Sequence, residues 1–121
     1  MTSVARPTVL IVEDDPDLRG LLEEILMDYD VIGASDGRDA LERCAEQRPD
    51  VILLDLMMPA MDGREFWLRY RELPDCGARV IVMSAARDVE RLAAEIGAVA
   101  VLRKPFEIAE VERLVSEHAL S

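Results

Sequence analysis

Asp55 ends the apolar run Val51-Ile52-Leu53-Leu54 and opens the loop Leu56-Met57-Met58-Pro59-Ala60-Met61-Asp62-Gly63. Two further acids, Glu13 and Asp14, follow another apolar run, Val9-Leu10-Ile11-Val12, and a lone lysine, Lys104, stands just past a third, Ala98 to Leu102. Short apolar runs rich in β-branched residues read as strands buried on both faces, so the polar residues at their ends are delivered to a sheet edge. Carboxylates gathered there repel, and either one takes a proton or a cation joins them. A hard divalent ion is the expected answer: magnesium prefers oxygen ligands and typically takes one or two carboxylates plus phosphate oxygens and water. Asp14 and Asp55 are the expected direct ligands, with Glu13 acting through water and a backbone carbonyl, that of Met57, completing the set. The same ion makes Asp55 an expected nucleophile toward a phosphoryl group. Lys104 would give a compact positive charge to one phosphoryl oxygen and the Ser84 hydroxyl a hydrogen bond to another, while the small Ala85 leaves the approach open.

Neighbouring residues have simpler roles. Asp62 reads as a helix cap or turn residue before Gly63, and Asp15 and Asp17 beside Pro16 as caps that favour the positive end of a helix. His118 reads as a surface residue. Phe66, Trp67 and Tyr70 read as packing with partial exposure rather than as a ligand box.

The elements that must position these groups follow from hydrophobic period. Five short apolar runs alternate with stretches of helical spacing, which implies an α/β fold with a parallel sheet. The expected strands are Thr8 to Val12, Asp30 to Ala34, Val51 to Leu54, Val80 to Ser84 and Ala98 to Leu102. Pro16 suits a first helical turn, and Leu18, Leu21, Leu22, Ile25 and Leu26 share one helix face. Ser35-Asp36-Gly37 caps a second helix carrying Ala40, Leu41, Cys44 and Ala45, which Pro49 ends. Asp62-Gly63 opens a third; Pro74, Asp75 and Gly77 then break the chain. A short fourth helix is expected from about Asp88 to Ile96, closed by Gly97, and a fifth carries Ile108, Val111, Leu114 and Val115.

The 121 residues fit one domain with a full hydrophobic core. Half are hydrophobic and 32% charged, which excludes a disordered chain. The net charge of -11, with no clustered arginines, argues against direct nucleic-acid binding and against an anionic membrane surface. Cys44 and Cys76 stand singly, without metal or redox spacing, and read as reduced thiols. No apolar run approaches a membrane span and no signal peptide is evident, so the cytoplasm is the expected compartment.

Val9-Leu10-Ile11-Val12-Glu13-Asp14-Asp15, Asp55-Leu56-Met57-Met58-Pro59 with Met61-Asp62-Gly63, Ser84-Ala85 and Lys104-Pro105-Phe106 resemble, in order and spacing, the motifs of bacterial two-component response regulator receiver domains. The resemblance runs over essentially the whole chain, residues 1–121. It implies that family's flavodoxin-like fold: a doubly wound five-stranded parallel sheet of order 2-1-3-4-5 flanked by five helices. It further implies that Asp55 accepts a phosphoryl group from the phosphohistidine of a sensor histidine kinase or histidine phosphotransfer protein. Mg2+ would be held by Asp14, Asp55 and the Met57 carbonyl and supported by Glu13, with Ser84 and Lys104 on the phosphoryl oxygens. A cis bond before Pro105 is common in the family. Phosphorylation would then reshape the face made by the fourth helix, fifth strand and fifth helix for a downstream protein. A homodimer is compatible with the family, whose members pair through several faces.

This chain departs from the family pattern. Three residues before the lysine, where many receivers carry Tyr or Phe, stands Val101, and the stretch from Ser84 to Lys104 is about two residues short. Two residues beyond Asp55 and Ser84 stand Met57 and Ala86, neither able to orient a water, which implies slow self-dephosphorylation. The resulting reading is a stand-alone receiver with no output domain and no enzymatic role beyond its own phosphoryl transfer. A phosphorylation-independent scaffold is the alternative. An aspartate-nucleophile phosphatase of the haloacid dehalogenase type would want a second aspartate where Met57 stands, and a flavin module a phosphate-cradling loop where Glu13-Asp14-Asp15 stand.

Overall fold

Val51, Ile52, Leu53 and Leu54 are all fully buried, as a strand must be when helices cover both faces of its sheet. In the computed structural model, residues 6–58, 61–74 and 76–119 are described. Pro59 and Ala60 of the loop motif and Asp75 of the chain break lie outside the described residues. The strands are β1 (Thr8–Val12), β2 (Asp30–Ala34), β3 (Val51–Asp55), β4 (Arg79–Ser84) and β5 (Ala100–Arg103). All pair in parallel, in the order β2-β1-β3-β4-β5. This is the expected doubly wound, flavodoxin-like topology.

The helices are α1 (Pro16–Ile25), α2 (Gly37–Glu46), α3 (Gly63–Tyr70), α4 (Val89–Ile96) and α5 (Ile108–Ala119). Strand alternation divides the core in two. Leu10, Val12, Ile52, Leu54, Val80 and Val82 face one way, against Ala40 and Cys44 of α2, Phe66 and Tyr70 of α3, and Val89, Ala93 and Ile96 of α4. Val9, Ile11, Val51, Leu53, Ile81 and Met83 face the other, against Leu22 of α1, the adjoining Leu26, and Val111, Leu114 and Val115 of α5. Among the described residues no helix is long and apolar enough to cross a membrane.

Several helix starts are fixed by aspartates. Asp15, Asp36 and Asp62 accept from the backbone N–H groups of Asp17, Asp39 and Glu65 at 2.9, 2.8 and 2.9 Å, each satisfying a donor the helix leaves unpaired. Asp88 precedes α4 without such a bond, its carboxylate instead accepting from Arg91 at 2.6 Å.

The structure moves some expected boundaries and faces. The fifth strand begins at Ala100, not Ala98, because Ala98 N–H donates to Ala93 O at 2.9 Å and so belongs to the end of α4, where Gly97 takes the left-handed conformation with φ 69°. The third strand runs one residue further than expected, and Asp55 is itself in the ladder opposite Met83. Leu21 and Ile108 were expected on core faces, yet they are 44% and 54% exposed, at the margins of stripes filled by Leu22 and by Val111, Leu114 and Val115. Ala45 is also exposed. Phe66 and Tyr70 are buried and stacked with ring centroids 5.7 Å apart, and only Trp67 of the three aromatics is half-exposed. The Tyr70 hydroxyl accepts from Ala78 N–H at 3.0 Å, which anchors the segment leading into β4.

Gly63 lets α3 begin against the end of β3. A Cβ there would lie 2.8 Å from the Asp55 carbonyl oxygen and 2.9 Å from Leu56 Cα, and backbone atoms cannot swing aside. Gly63→Ala is therefore expected to lower stability by about 1–3 kcal/mol in urea titration; an unchanged midpoint would show that the contact relaxes freely. Cys44 and Cys76 are free thiols, and burial pushes the Cys44 thiol up to about 11. Its protonated form is favoured in the folded state, so the associated stability is present below the unfolded pKa near 9 and is lost as pH rises toward 11. Between pH 8 and 11 the wild type is expected to lose about 2–3 kcal/mol more than Cys44→Ala; parallel pH profiles would refute this.

Candidate functional site

At the carboxyl ends of β1, β3, β4 and β5 the chain emerges near the point where strand order reverses between β1 and β3, with α1 and α3 leaving to opposite faces of the sheet. In open α/β sheets a crevice forms there. Glu13 stands one residue beyond β1 and is 1% exposed; Asp55 is the last residue of β3 and 2% exposed. Asp14, the next residue, is exposed. Carboxylate oxygens of Glu13, Asp14 and Asp55 all lie within 4.8 Å of one another.

Lys104, immediately after β5, reaches into this cluster. Its Nζ donates to Glu13 Oε1 at 2.8 Å and to Asp55 Oδ2 at 3.2 Å. The other Asp55 oxygen, Oδ1, accepts from Met57 N–H at 3.0 Å, so the loop after β3 folds back on the carboxylate that begins it. The peptide between Lys104 and Pro105 is cis, as expected. Lys104 N–H also donates to Ser84 O at 3.0 Å, which ties the lysine's backbone to the end of β4.

Three carboxylates face one ammonium, so the cluster is short of positive charge. Burial pushes the Glu13 carboxyl up to about 7, the Asp55 charge adds to the rise, and the hydrogen bonds from Lys104 and Asp15 N–H only partly oppose it. Burial works against the charge of Lys104 too, yet its hydrogen bond to Glu13 and the charges of Asp55 and Glu13 more than offset this and hold the ammonium above its ordinary range. A buried carboxyl that leans toward its proton beside two other acids is a donor set suited to a hard cation, which would satisfy the oxygens that one lysine cannot.

A cavity of about 420 Å³ opens over the cluster, lined by Glu13, Asp14, Asp15, Asp55, Met57, Ala85, Ala86 and Lys104. The structure thus brings together Glu13, Asp14, Asp55, Met57, Ala85 and Lys104, which the sequence assigned to the site. Ser84 is buried at the end of β4 and does not line the cavity; its Oγ accepts from Ala86 N–H at 3.0 Å, closing a turn in its own loop. Ala85 and Ala86 form that wall instead. Met57 is 67% exposed at the rim. Asp62 lies away from the cluster as the α3 cap, and His118 is half-buried near the carboxyl end of α5.

One contributor escaped the sequence reading. Arg19 Nη1 donates to the backbone carbonyl of Glu13 at 2.7 Å. Nothing in spacing marks an arginine inside α1 as a partner of the strand end before it, since the contact depends on how the helix lies over the sheet.

Residues 9–116 match the family profile of the response regulator receiver domain. The chain is 35% identical over 114 residues to sporulation initiation phosphotransferase F of Bacillus subtilis, covering 91% of each protein. It is 40% identical over 114 residues to the transcriptional regulatory protein PrrA of Mycobacterium tuberculosis, but spans only 48% of that protein. Its fold superposes with a TM-score of 0.86 on the receiver domain of a Pseudomonas aeruginosa sensor histidine kinase, which has a magnesium ion coordinated in its active-site cleft; identity is 28%, over 98% of this chain and 100% of that one. The acidic cluster at the sheet edge, the strand order that places it and these similarities agree: the chain belongs to the response regulator receiver domain family.

Proposed function

We propose that this receiver is a phosphorylation-dependent signalling switch in which Asp55 accepts a phosphoryl group from the phosphohistidine of a sensor histidine kinase or a histidine phosphotransfer protein. The observation that carries this reading is Lys104 Nζ held between Glu13 Oε1 and Asp55 Oδ2 at the edge of an open cavity. In the transfer an Asp55 carboxylate oxygen forms the bond to phosphorus, the bond from phosphorus to the donor imidazole nitrogen breaks, and its electron pair leaves with the imidazole. Lys104 supplies a fixed positive charge to the phosphoryl oxygens, and Ser84 a hydroxyl once its loop turns toward the site. Asp14, Asp55 and the Met57 carbonyl would hold Mg2+, with Glu13 behind them through water. When bound, the ion neutralises charge on the transferring oxygens and offsets the repulsion among the acids.

The chain is read as acting in the cytoplasm as a single receiver, without an enzymatic activity apart from its own transfer. The likeness along 91% of a relative named a phosphotransferase supports a place in a phosphorelay. Its downstream reader is a protein that senses the reshaped surface. Val101, half-buried beside Val82 in the β4–β5 ladder, has no ring to rotate, so the signal passes through Ser84 and the loop that follows it.

With Mg2+ and acetyl phosphate, intact mass is expected to rise by ~80 Da on the wild type and not on Asp55→Ala. No gain on folded, magnesium-bound protein would favour a phosphorylation-independent scaffold. Because Met57 and Ala86 line the cavity with groups that cannot orient a water, the phosphorylated half-life is expected to exceed that of a fast chemotaxis receiver measured alongside. An equal or shorter half-life would remove this part of the proposal.

A further inference from the structure

The segment carrying Glu13 and Asp14 lies just past the end of β1, where ladder hydrogen bonds no longer dictate its path. Glu13 N–H still donates to Ala34 O at 3.1 Å, and its side chain is held by Lys104 and by Asp15 N–H. Its carbonyl is held by Arg19 Nη1 at 2.7 Å, a charge-assisted bond in partly buried surroundings. Arg19 reaches that point by lying over β2 at Gly33. A Cβ on Gly33 would stand 3.3 Å from Arg19 Cδ and 2.5 Å from Glu23 Oε1, so the glycine leaves the trough in which both side chains rest. Arg19 is itself fixed in the first turns of α1, where its N–H donates to Asp15 O at 2.9 Å.

We infer that Arg19, seated in the trough over Gly33, is a positioning residue for the cation site: it clamps the Glu13 carbonyl so that the carboxylates of Glu13 and Asp14 already converge on Asp55 before an ion arrives. It touches neither the ion nor the phosphoryl group. The inference rests on the proposed reading of the acidic cluster as a magnesium site and adds a residue to it.

Electrostatics and positioning make opposite demands here, which gives the test its sign. Removing a guanidinium near a cation site relieves repulsion and, were charge its only contribution, would tighten cation binding. Removing a clamp lets the loop relax and weakens it.

The experiment is calorimetric titration of the full chain with MgCl2, with no phosphodonor, for wild type, Arg19→Met and Arg19→Lys, together with thermal unfolding of each in EDTA. Methionine keeps much of the apolar stem and loses the donors and the charge; lysine keeps the charge and offers a shorter donor. Arg19→Met is expected to bind Mg2+ about tenfold more weakly, the low end for outer-shell partners of metal ligands. Arg19→Lys is expected to fall between it and wild type, with both variants folded in EDTA at the titration temperature. Binding by Arg19→Met equal to or tighter than wild type would overturn the clamp while leaving the magnesium site intact. Weakening by Arg19→Lys as great as by Arg19→Met would overturn it as well, since a second donor at that position would then restore nothing. A wild type that binds no Mg2+ would instead overturn the reading of the cluster, and the clamp with it.

Discussion

A single ammonium shared between two buried carboxylates is the constraint on which the rest of this structure depends. Glu13 and Asp55 are almost wholly removed from water, and Lys104 meets both at 2.8 and 3.2 Å. A buried pair contributes to stability only when its geometry and remaining hydrogen bonds are good, because each ion has given up its hydration. Here the supporting bonds come from the backbone: Asp15 N–H to Glu13 and Met57 N–H to Asp55. The arrangement is still unbalanced, with Asp14 adding a third acid and no second cation among the residues lining the cavity. That imbalance is what separates a site prepared for a charged ligand from an ordinary internal ion pair.

The parallel sheet is the reason the imbalance can exist. Antiparallel neighbours would send successive strand ends to opposite edges, whereas parallel neighbours deliver Glu13, Asp55, Ser84 and Lys104 to the same one. The apolar interior of β1, β3 and β4 supplies the burial that holds those ends in place, so hydrophobic packing supports the unfavourable gathering of charge. Gly63 and the aspartate caps set where the intervening helices begin, and so how much chain is left to form the cavity walls.

Strand-terminal chemistry was legible in the sequence because it rests on one-dimensional facts: a run of buried residues ends, and a charged residue follows. Asp55, Glu13, Asp14 and Lys104 were found this way, and the caps Asp15, Asp36 and Asp62 from the Pro16, Gly37 and Gly63 that follow them. The strand order came from family likeness, since alternation of elements says that strands are parallel but not which are neighbours. What failed depended on three-dimensional competition. Ala98 looked like strand by composition, but the end of α4 takes its N–H first. Leu21 and Ile108 have the right spacing for a core face, yet the sheet beneath them is already covered by neighbouring residues. Ser84 sits at the expected strand end; only the bond its Oγ accepts from Ala86 N–H, set by local turn geometry, was not legible in spacing. Arg19 left no trace in spacing, because its partner is defined by helix placement.

In α4 an exposed, ion-paired face and a buried face meet, which bears on how a change at Asp55 would travel. Ser84 and the segment 85–88 connect the buried cluster to α4, whose first turn lacks a side-chain cap. The outer face of α4 is held by surface ion pairs, Arg91 with Asp88 and Glu95, Arg103 with Glu90, and Arg64 with Glu95. Exposed pairs of this kind contribute roughly 0–1 kcal/mol each and are screened by salt. The inner face is held by Val89, Ala93 and Ile96, which are buried and hold the helix to the sheet. Val101 on β5 carries no ring that could exchange positions between strand and helix. A rearrangement starting at Ser84 therefore meets little resistance in the loop and at the exposed ion pairs, and much more at the buried face. The loop 85–88 and the polar surface of α4 are where such a change would be absorbed.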